Sequence, residues 1–265
     1  MCYESDAVPP VHGPAVTGVA KSGPLTLTSI DGTPFGAFAA VPEKGSGVGV
    51  VVLPDNRGLS SFYGALCVRL AEQGHSALAV DYFGRTAGSE YLDRDADFAE
   101  TENLFPHLVR LTPDGLDAGI TAAAERLRAE GARAIVTLGF CFGGRQAFRT
   151  AAPRFDFAGV IGFYGFPGAL NGAPGPTELA PGLTAPVLAL WGGGDPHISG
   201  EAVTAFDTAL TDANCPHEFV TYPSAPHGFF ELGVAQFATA SADAWHRVLN
   251  FLTAHASRPT SSSSA

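Results

Sequence analysis

Cys141, Asp195 and His227 are three residue types that cooperate in nucleophilic catalysis, and this chain carries them in an order and a setting that would let them meet. A thiol attacks as its thiolate. It therefore needs a base to take its proton and an acid to hold that base in the right tautomer. Cys141 lies in Gly139-Phe140-Cys141-Phe142-Gly143, followed at once by Gly144. The apolar run Ala134-Ile135-Val136-Thr137-Leu138 before it reads as a buried strand, and Arg145-Gln146-Ala147-Phe148-Arg149 after it reads as the start of a helix. A cysteine on so sharp a strand-to-helix turn is pushed out above the sheet, and glycines are needed on either side because a Cβ there would collide with the neighbouring strand and helix. The free N–H groups and positive end of the helix favour a thiolate and, later, an oxyanion. A buried structural cysteine in a tight turn would be written with the same residues.

Asp195 sits in Trp191-Gly192-Gly193-Gly194-Asp195-Pro196, directly after an apolar strand, and His227 in Ala225-Pro226-His227-Gly228-Phe229-Phe230, directly after another. Each alone has an ordinary reading: an aspartate that forms a turn, a histidine on the surface or in the core. In the order nucleophile, acid, histidine, each at a strand's carboxyl end, they describe the triad of an α/β-hydrolase, with Gly-x-Cys-x-Gly as its nucleophile elbow. That edge of an open α/β sheet is where ligands bind. The chemistry also needs an oxyanion hole. One donor is expected to be the backbone N–H of Phe142, and the other that of Asn56, in the loop Pro54-Asp55-Asn56-Arg57-Gly58. An ordinary turn would use the same loop residues.

The elements that must position these residues are legible as an alternation. Residues 1–22, with Pro9, Pro10, Gly13 and Pro14, read as an irregular arm, and 23–255 as a single domain. A hairpin over 25–41 turns at Asp31-Gly32. Strands are expected at 48–53, 77–81, 159–163, 187–191 and 218–222, with helices at 62–73 and 201–210. Thr112-Pro113-Asp114 starts another helix, with Leu116, Ile120 and Leu127 on one face. A closing helix over 242–255 carries Trp245, Val248, Leu249 and Leu252 on one side. The pattern implies an α/β fold, a mostly parallel sheet with helices on both faces. Residues 84–111 are too long for a simple connection and read either as a lid or as a packed insertion. The tail 256–265, with its serine run, reads as disordered.

Composition narrows the class. A net charge of −11 with only two lysines and dispersed arginines argues against a nucleic-acid partner or an anionic membrane surface. No apolar run reaches the length of a membrane span, and the N-terminus lacks the basic start and apolar stretch of a signal peptide. Cys2, Cys67, Cys141 and Cys215 show neither metal-ligand spacing nor a dense disulfide pattern, and the other histidines are scattered, so neither a metal nor a cofactor is expected. His107 and His197 are the two to watch, for contacts near the lid and the acid loop. A cytoplasmic monomer acting on a small molecule is the economical expectation.

At these residues the chain resembles the dienelactone hydrolase family. The resemblance rests on the elbow with Gly144, the Asp195 loop and Pro226-His227-Gly228-Phe229-Phe230. Val80-Asp81-Tyr82-Phe83-Gly84-Arg85 and Gly162-Phe163-Tyr164-Gly165 add to it, and the similarity spans about 25–254. It implies hydrolysis of a small ester or lactone through a thiolester on Cys141, with His227 as base and Asp195 as its orienting acid. Asp55 takes the place of a family glutamate that contacts the resting thiol and helps turn it into a thiolate when substrate arrives; it is one methylene shorter. The best-known members hold a substrate carboxylate with arginines, one of them four residues after the catalytic histidine. Here that position is Glu231, which would repel a carboxylate. Arg57, Arg85 or Arg94 would have to replace the clamp, or else sit in surface ion pairs. Tyr82, Phe83, Tyr164 and Phe229, with Phe140, Phe142 and Trp191, offer apolar walls for an acyl group or plain core packing.

Two other classes stay open. A cysteine elbow also occurs in the glutamine amidotransferase-like superfamily, to which His217-Glu218 would fit superficially, although His217 precedes its strand. A non-catalytic ligand-binding or thiol-sensing protein on the hydrolase scaffold is the other.

Overall fold

The computed structural model describes residue 3 and residues 6–11, 13–92 and 97–256. Cys2, His12, Arg94 and the expected tail beyond residue 256 lie outside the described residues. The strands are β1 (Val19–Thr28), β2 (Pro34–Pro42), β3 (Val48–Leu53), β4 (Ser76–Val80), β5 (Ala134–Phe140), β6 (Gly159–Phe163), β7 (Val187–Gly192) and β8 (His217–Tyr222). They form one sheet in the order β1-β2-β4-β3-β5-β6-β7-β8. β1 and β2 pair antiparallel, β2 joins β4 antiparallel, and every pair from β4 to β8 is parallel.

The helices are α1 (Ser61–Glu72), α2 (Gly84–Ala87), α3 (Thr101–Leu108), α4 (Pro113–Ala129), α5 (Phe142–Arg149), α6 (Pro176–Leu179), α7 (Gly200–Asp212) and α8 (Ala238–His255). Two apolar cores, one on each face of the sheet, explain why the central strands read as unbroken hydrophobic runs. Side chains alternate between them. Val50 and Val52 join Phe62, Phe148, Phe206 and Trp245 in one core, and Val51 and Leu53 join Ile120 and Leu127 in the other. Thr112 caps α4 by accepting the N–H of Gly115 at 3.1 Å, as its Thr-Pro-Asp start leads one to expect.

This topology puts a crevice at one place. From β3 the chain runs through α1 outward to β4, then returns across α4 to β5 on the other side of β3. The connections leaving β3 and β5 therefore diverge, and the space between their carboxyl ends opens as a switch point where α/β sheets bind ligands. The loop with Asn56 leaves β3 there and the Cys141 elbow leaves β5.

Two segments are more structured than their composition suggests. In the N-terminal arm, Tyr3, Ala7, Pro9, Pro10 and Val11 are buried against the domain, and β1 already begins at Val19. The long connection 84–111 contains α2 and α3 and is pinned by buried Phe98 and Leu104, while Phe105 and Val109 stay exposed. It is thus part packed insertion and part rim.

Candidate active site

The elbow is built by contacts that only glycine permits. A Cβ on Gly139 would lie 2.0 Å from the carbonyl oxygen of Gly143, and one on Gly143 would lie 2.1 Å from that of Leu53. The turn between them holds Cys141 at φ 54° and ψ −113°, a conformation that costs a side-chain-bearing residue energy and is found where function needs it. Two backbone bonds of 3.0 Å fix it: the Cys141 N–H donates to the Phe163 carbonyl, and the Arg145 N–H donates to the Cys141 carbonyl. The thiol is left half-exposed at the start of α5, with Phe142 as the first helical residue.

Asp195 and His227 meet because their loops pack backbone to backbone. The Gly193 N–H donates to the Tyr222 carbonyl at 2.8 Å and the Gly194 N–H to that of Ala225 at 2.9 Å. Gly192 comes so near that a Cβ on it would sit 2.4 Å from the Ala225 oxygen. The result is a 2.6 Å hydrogen bond between His227 Nδ1 and Asp195 Oδ2. Asp195 Oδ1 accepts the backbone N–H of His197 at 2.8 Å, so both carboxyl oxygens are held. The Asp195 side chain is 1% exposed and that of His227 13%. Burial of the imidazole works against its charged form, but hydrogen bonds to Asp195 and to the Cys141 side chain outweigh it and push His227 up to about 9.

Asp55 is buried beside the same sulfur. Burial raises its carboxyl to about 6, the Arg57 backbone N–H opposes the rise, and negative charge on Cys141 adds to it. That N–H donates to Asp55 Oδ1 at 2.8 Å, and the Asp55 N–H donates to the Tyr63 hydroxyl at 2.8 Å. Tyr82 donates its hydroxyl to the Pro54 carbonyl at 2.8 Å and sets its ring edge-on to Phe142, with centroids 5.3 Å apart.

Over these groups opens a cleft of about 510 Å³. Cys141, His227, Asn56 and Phe142 form its floor together with Tyr164, and Phe105, Leu108, Val109, Phe166, Leu170 and Ile198 form its walls and mouth. Asn171, His197 and Arg145 are its further polar members, and among the described residues lining it there is no carboxylate. Arg145 is turned to structural work. One guanidinium nitrogen donates to the Phe166 carbonyl at 2.9 Å and also to that of Gly168, holding the loop that carries Leu170 and Asn171. Sequence reasoning missed this residue, although its place four positions after Cys141, on the same helical face, was a usable signal. Nothing in the sequence connects residues 166–171 to the cleft.

Residues 35–256 match the dienelactone hydrolase family. The chain belongs to that family. Its fold is that of the family's α/β-hydrolase members, and it is an enzyme of the ester- and lactone-hydrolase class. It is 29% identical over 262 residues to the carboxymethylenebutenolidase of Rhodococcus opacus, an alignment that covers 95% of this chain and 96% of that one. Among solved structures it is similar to one named "Putative Dienelactone Hydrolase from Klebsiella pneumoniae subsp. pneumoniae MGH 78578". The TM-score is 0.68 at 27% identity, over 88% of this chain and 98% of that one.

The other expected site residues of this dienelactone hydrolase family member are distributed unevenly. Tyr164 lines the cleft, its ring centroid 4.9 Å from that of His227. Phe83 and Phe229 are fully buried, as are Phe140 and Trp191, so they serve the core beneath the site. Arg85 is at the surface, bonded to Asp31 and Thr33. Arg57 turns its guanidinium to the Tyr3 carbonyl. His107 packs against the rings of Phe98 and Phe83. His217 stands at the opposite end of β8 from His227, 2.8 Å from the Cys215 carbonyl and 3.2 Å from Asp207. Among the described residues no cluster could hold a metal ion, and no helix is long and apolar enough to cross a membrane.

Proposed function

We propose that the chain hydrolyses a small, uncharged, largely apolar ester or lactone through a Cys141–His227–Asp195 triad and a thiolester intermediate. The observation that carries this reading is His227 bridging two partners at once, with Asp195 at 2.6 Å on Nδ1 and the Cys141 side chain on the cleft side. His227 takes the thiol proton and holds it as an imidazolium, a form its neighbours favour. The thiolate adds to the substrate carbonyl. The N–H groups of Phe142 and Asn56 receive the negative oxygen, a stabilisation whose loss typically costs about 3 kcal/mol per donor. Collapse expels the alkoxide, which takes the proton from His227. Water, deprotonated by the same imidazole, then attacks the thiolester and frees the acid and the thiol.

The substrate class rests on the cleft. Its walls are apolar, and Arg145 is committed to two carbonyls. Arg85 bonds Asp31 instead, and the position that holds a clamp arginine in the best-known members is Glu231. An acyl group without a carboxylate suits this lining better than a dienelactone does.

The test is hydrolysis of short p-nitrophenyl esters and of cis- and trans-dienelactone by the wild type and Cys141→Ala, with circular dichroism to show that both fold. Turnover lost in a folded Cys141→Ala protein, with p-nitrophenyl esters preferred over dienelactone, supports the reading. Equal background rates in both proteins overturn it in favour of a binding role.

A further inference from the structure

The N-terminal arm precedes the stretch matched to the family, yet one of its residues is packed into the supports of the site. Tyr3 is only 4% exposed. Its ring stacks on Phe62 with centroids 3.8 Å apart and meets Tyr63 and Phe140 edge-on at 6.0 and 6.1 Å. Its hydroxyl is hydrogen-bonded to the hydroxyl of Tyr164, and its carbonyl accepts from the Arg57 guanidinium.

Each contact leads to a different part of the machinery. Phe140 is the residue before Cys141. Tyr63 receives the Asp55 N–H, and Arg57 donates its own N–H to the Asp55 carboxylate, with Asn56 between them. Tyr164 forms part of the cleft floor beside His227. Its backbone stands at φ 37°, in the left-handed region where a bulky residue is an outlier and persists only if its surroundings hold it. The hydroxyl pair from Tyr3 supplies part of that hold.

We propose that Tyr3 is a positioning residue of the hydrolase site, through which the N-terminal arm fixes Tyr164 against His227 and steadies the 55–57 loop. The proposal rests on the triad reading above. It makes the arm part of the working enzyme and not merely a cover for the sheet.

Tyr3→Phe tests it because the ring keeps its stacking while the hydroxyl bond to Tyr164 is lost. Tyr164→Phe removes the other half of the pair, and the double variant completes a cycle. Two quantities are read well below the melting temperature of every variant: kcat and KM on a p-nitrophenyl ester, and the pH profile of Cys141 alkylation by iodoacetamide. Expected are a kcat about 3- to 10-fold lower in Tyr3→Phe with KM little changed, a double variant no slower than the slower single one, and an alkylation profile displaced from that of the wild type. A lower melting temperature with unchanged kcat and unchanged alkylation profile overturns the proposal, since a purely structural hydroxyl would behave in that way. So does a double variant whose losses multiply. If the wild type turns over no ester, the triad reading fails by itself. The alkylation profile then still decides the role of Tyr3: displaced in Tyr3→Phe it supports positioning, and identical to the wild type it excludes it.

Discussion

Asp195 and His227, separated by 31 residues of chain, share a 2.6 Å hydrogen bond from which almost all water is excluded on the aspartate side. A carboxylate can only accept, so the bond places the proton on Nδ1 and leaves Nε2 to act as base. Replacing Asp195 by asparagine keeps the size and removes both the charge and that instruction. Asp195→Asn is expected to lower kcat by about 10²- to 10⁴-fold. It also removes the strongest influence raising His227, so the imidazole should titrate well below the present value of about 9. The pH dependence of kcat/KM, with NMR titration of the ring, reads both effects. Unchanged titration would mean that the pair is not coupled as described.

Asp55 gives a stability prediction with a definite sign. Its folded-state carboxyl lies at about 6, above the ordinary aspartate value of 3.8, chiefly because it is buried. The folded protein therefore binds this proton more tightly than the unfolded chain does, and the benefit is complete below about 4 and lost as pH rises through 6. His227, raised from 6.5 to about 9, acts in the same direction at higher pH: what its partners contribute is complete below 6.5 and lost through 9. Asp55→Asn removes the first of these losses. It should match the wild type near pH 4 and exceed it at pH 7 by roughly 3 kcal/mol at most. Urea denaturation at pH 4, 6 and 8 measures the difference, and equal stability at all three would disprove the buried-charge account.

The order of strands and helices, the elbow and the pairing of an acid loop with a histidine loop were all readable because each rests on local pattern. Unbroken apolar runs mark strands covered on both faces, and Thr112-Pro113 marks a helix start whatever lies around it. The pocket was not readable in this way. Phe166, Leu170 and Asn171 reach the cleft on a loop that Arg145 ties down through two carbonyls, a contact that leaves no periodic trace. Phe83 and Phe229 look like pocket aromatics in a linear motif, and three dimensions put them in the core. The N-terminal arm is irregular up to β1 among the described residues, as its prolines suggest. That Tyr3 and Val11 are buried comes from long-range packing, which composition does not encode.

The close approach at the elbow predicts a contrast between two glycines. In Gly143→Ala the new methyl would lie 2.1 and 2.3 Å from the carbonyl oxygens of Leu53 and Pro54, both backbone atoms of the strand end that carries the Asn56 loop. The loop must move or the helix must tilt, at a cost of roughly 3 kcal/mol or more. Gly119, inside α4, has nothing within 4 Å of its would-be Cβ. Gly119→Ala should stabilise by about 0.5–1 kcal/mol through helix propensity. Thermal melts followed by circular dichroism compare the two, and a Gly143→Ala protein that melts like the wild type would show that the elbow is less tightly packed than these contacts require.

The mouth of the cleft predicts how substrate preference is divided between apolar contact and charge. Phe105, Val109 and Leu170 stand there with 60%, 62% and 51% of their surface exposed, large apolar groups that a substrate could cover. Phe105→Ser removes an aromatic wall without touching the triad, so it should raise KM for a p-nitrophenyl ester about 3- to 10-fold and leave kcat nearly unchanged. Arg85→Ala should change neither KM nor kcat, for esters or for dienelactone, because that guanidinium is engaged with Asp31 and Thr33. Steady-state kinetics of both variants on an ester and on cis-dienelactone separate the two contributions. Loss of dienelactone activity alone in Arg85→Ala would mean that the arginine swings to the substrate after all, and the uncharged-substrate reading would have to be given up.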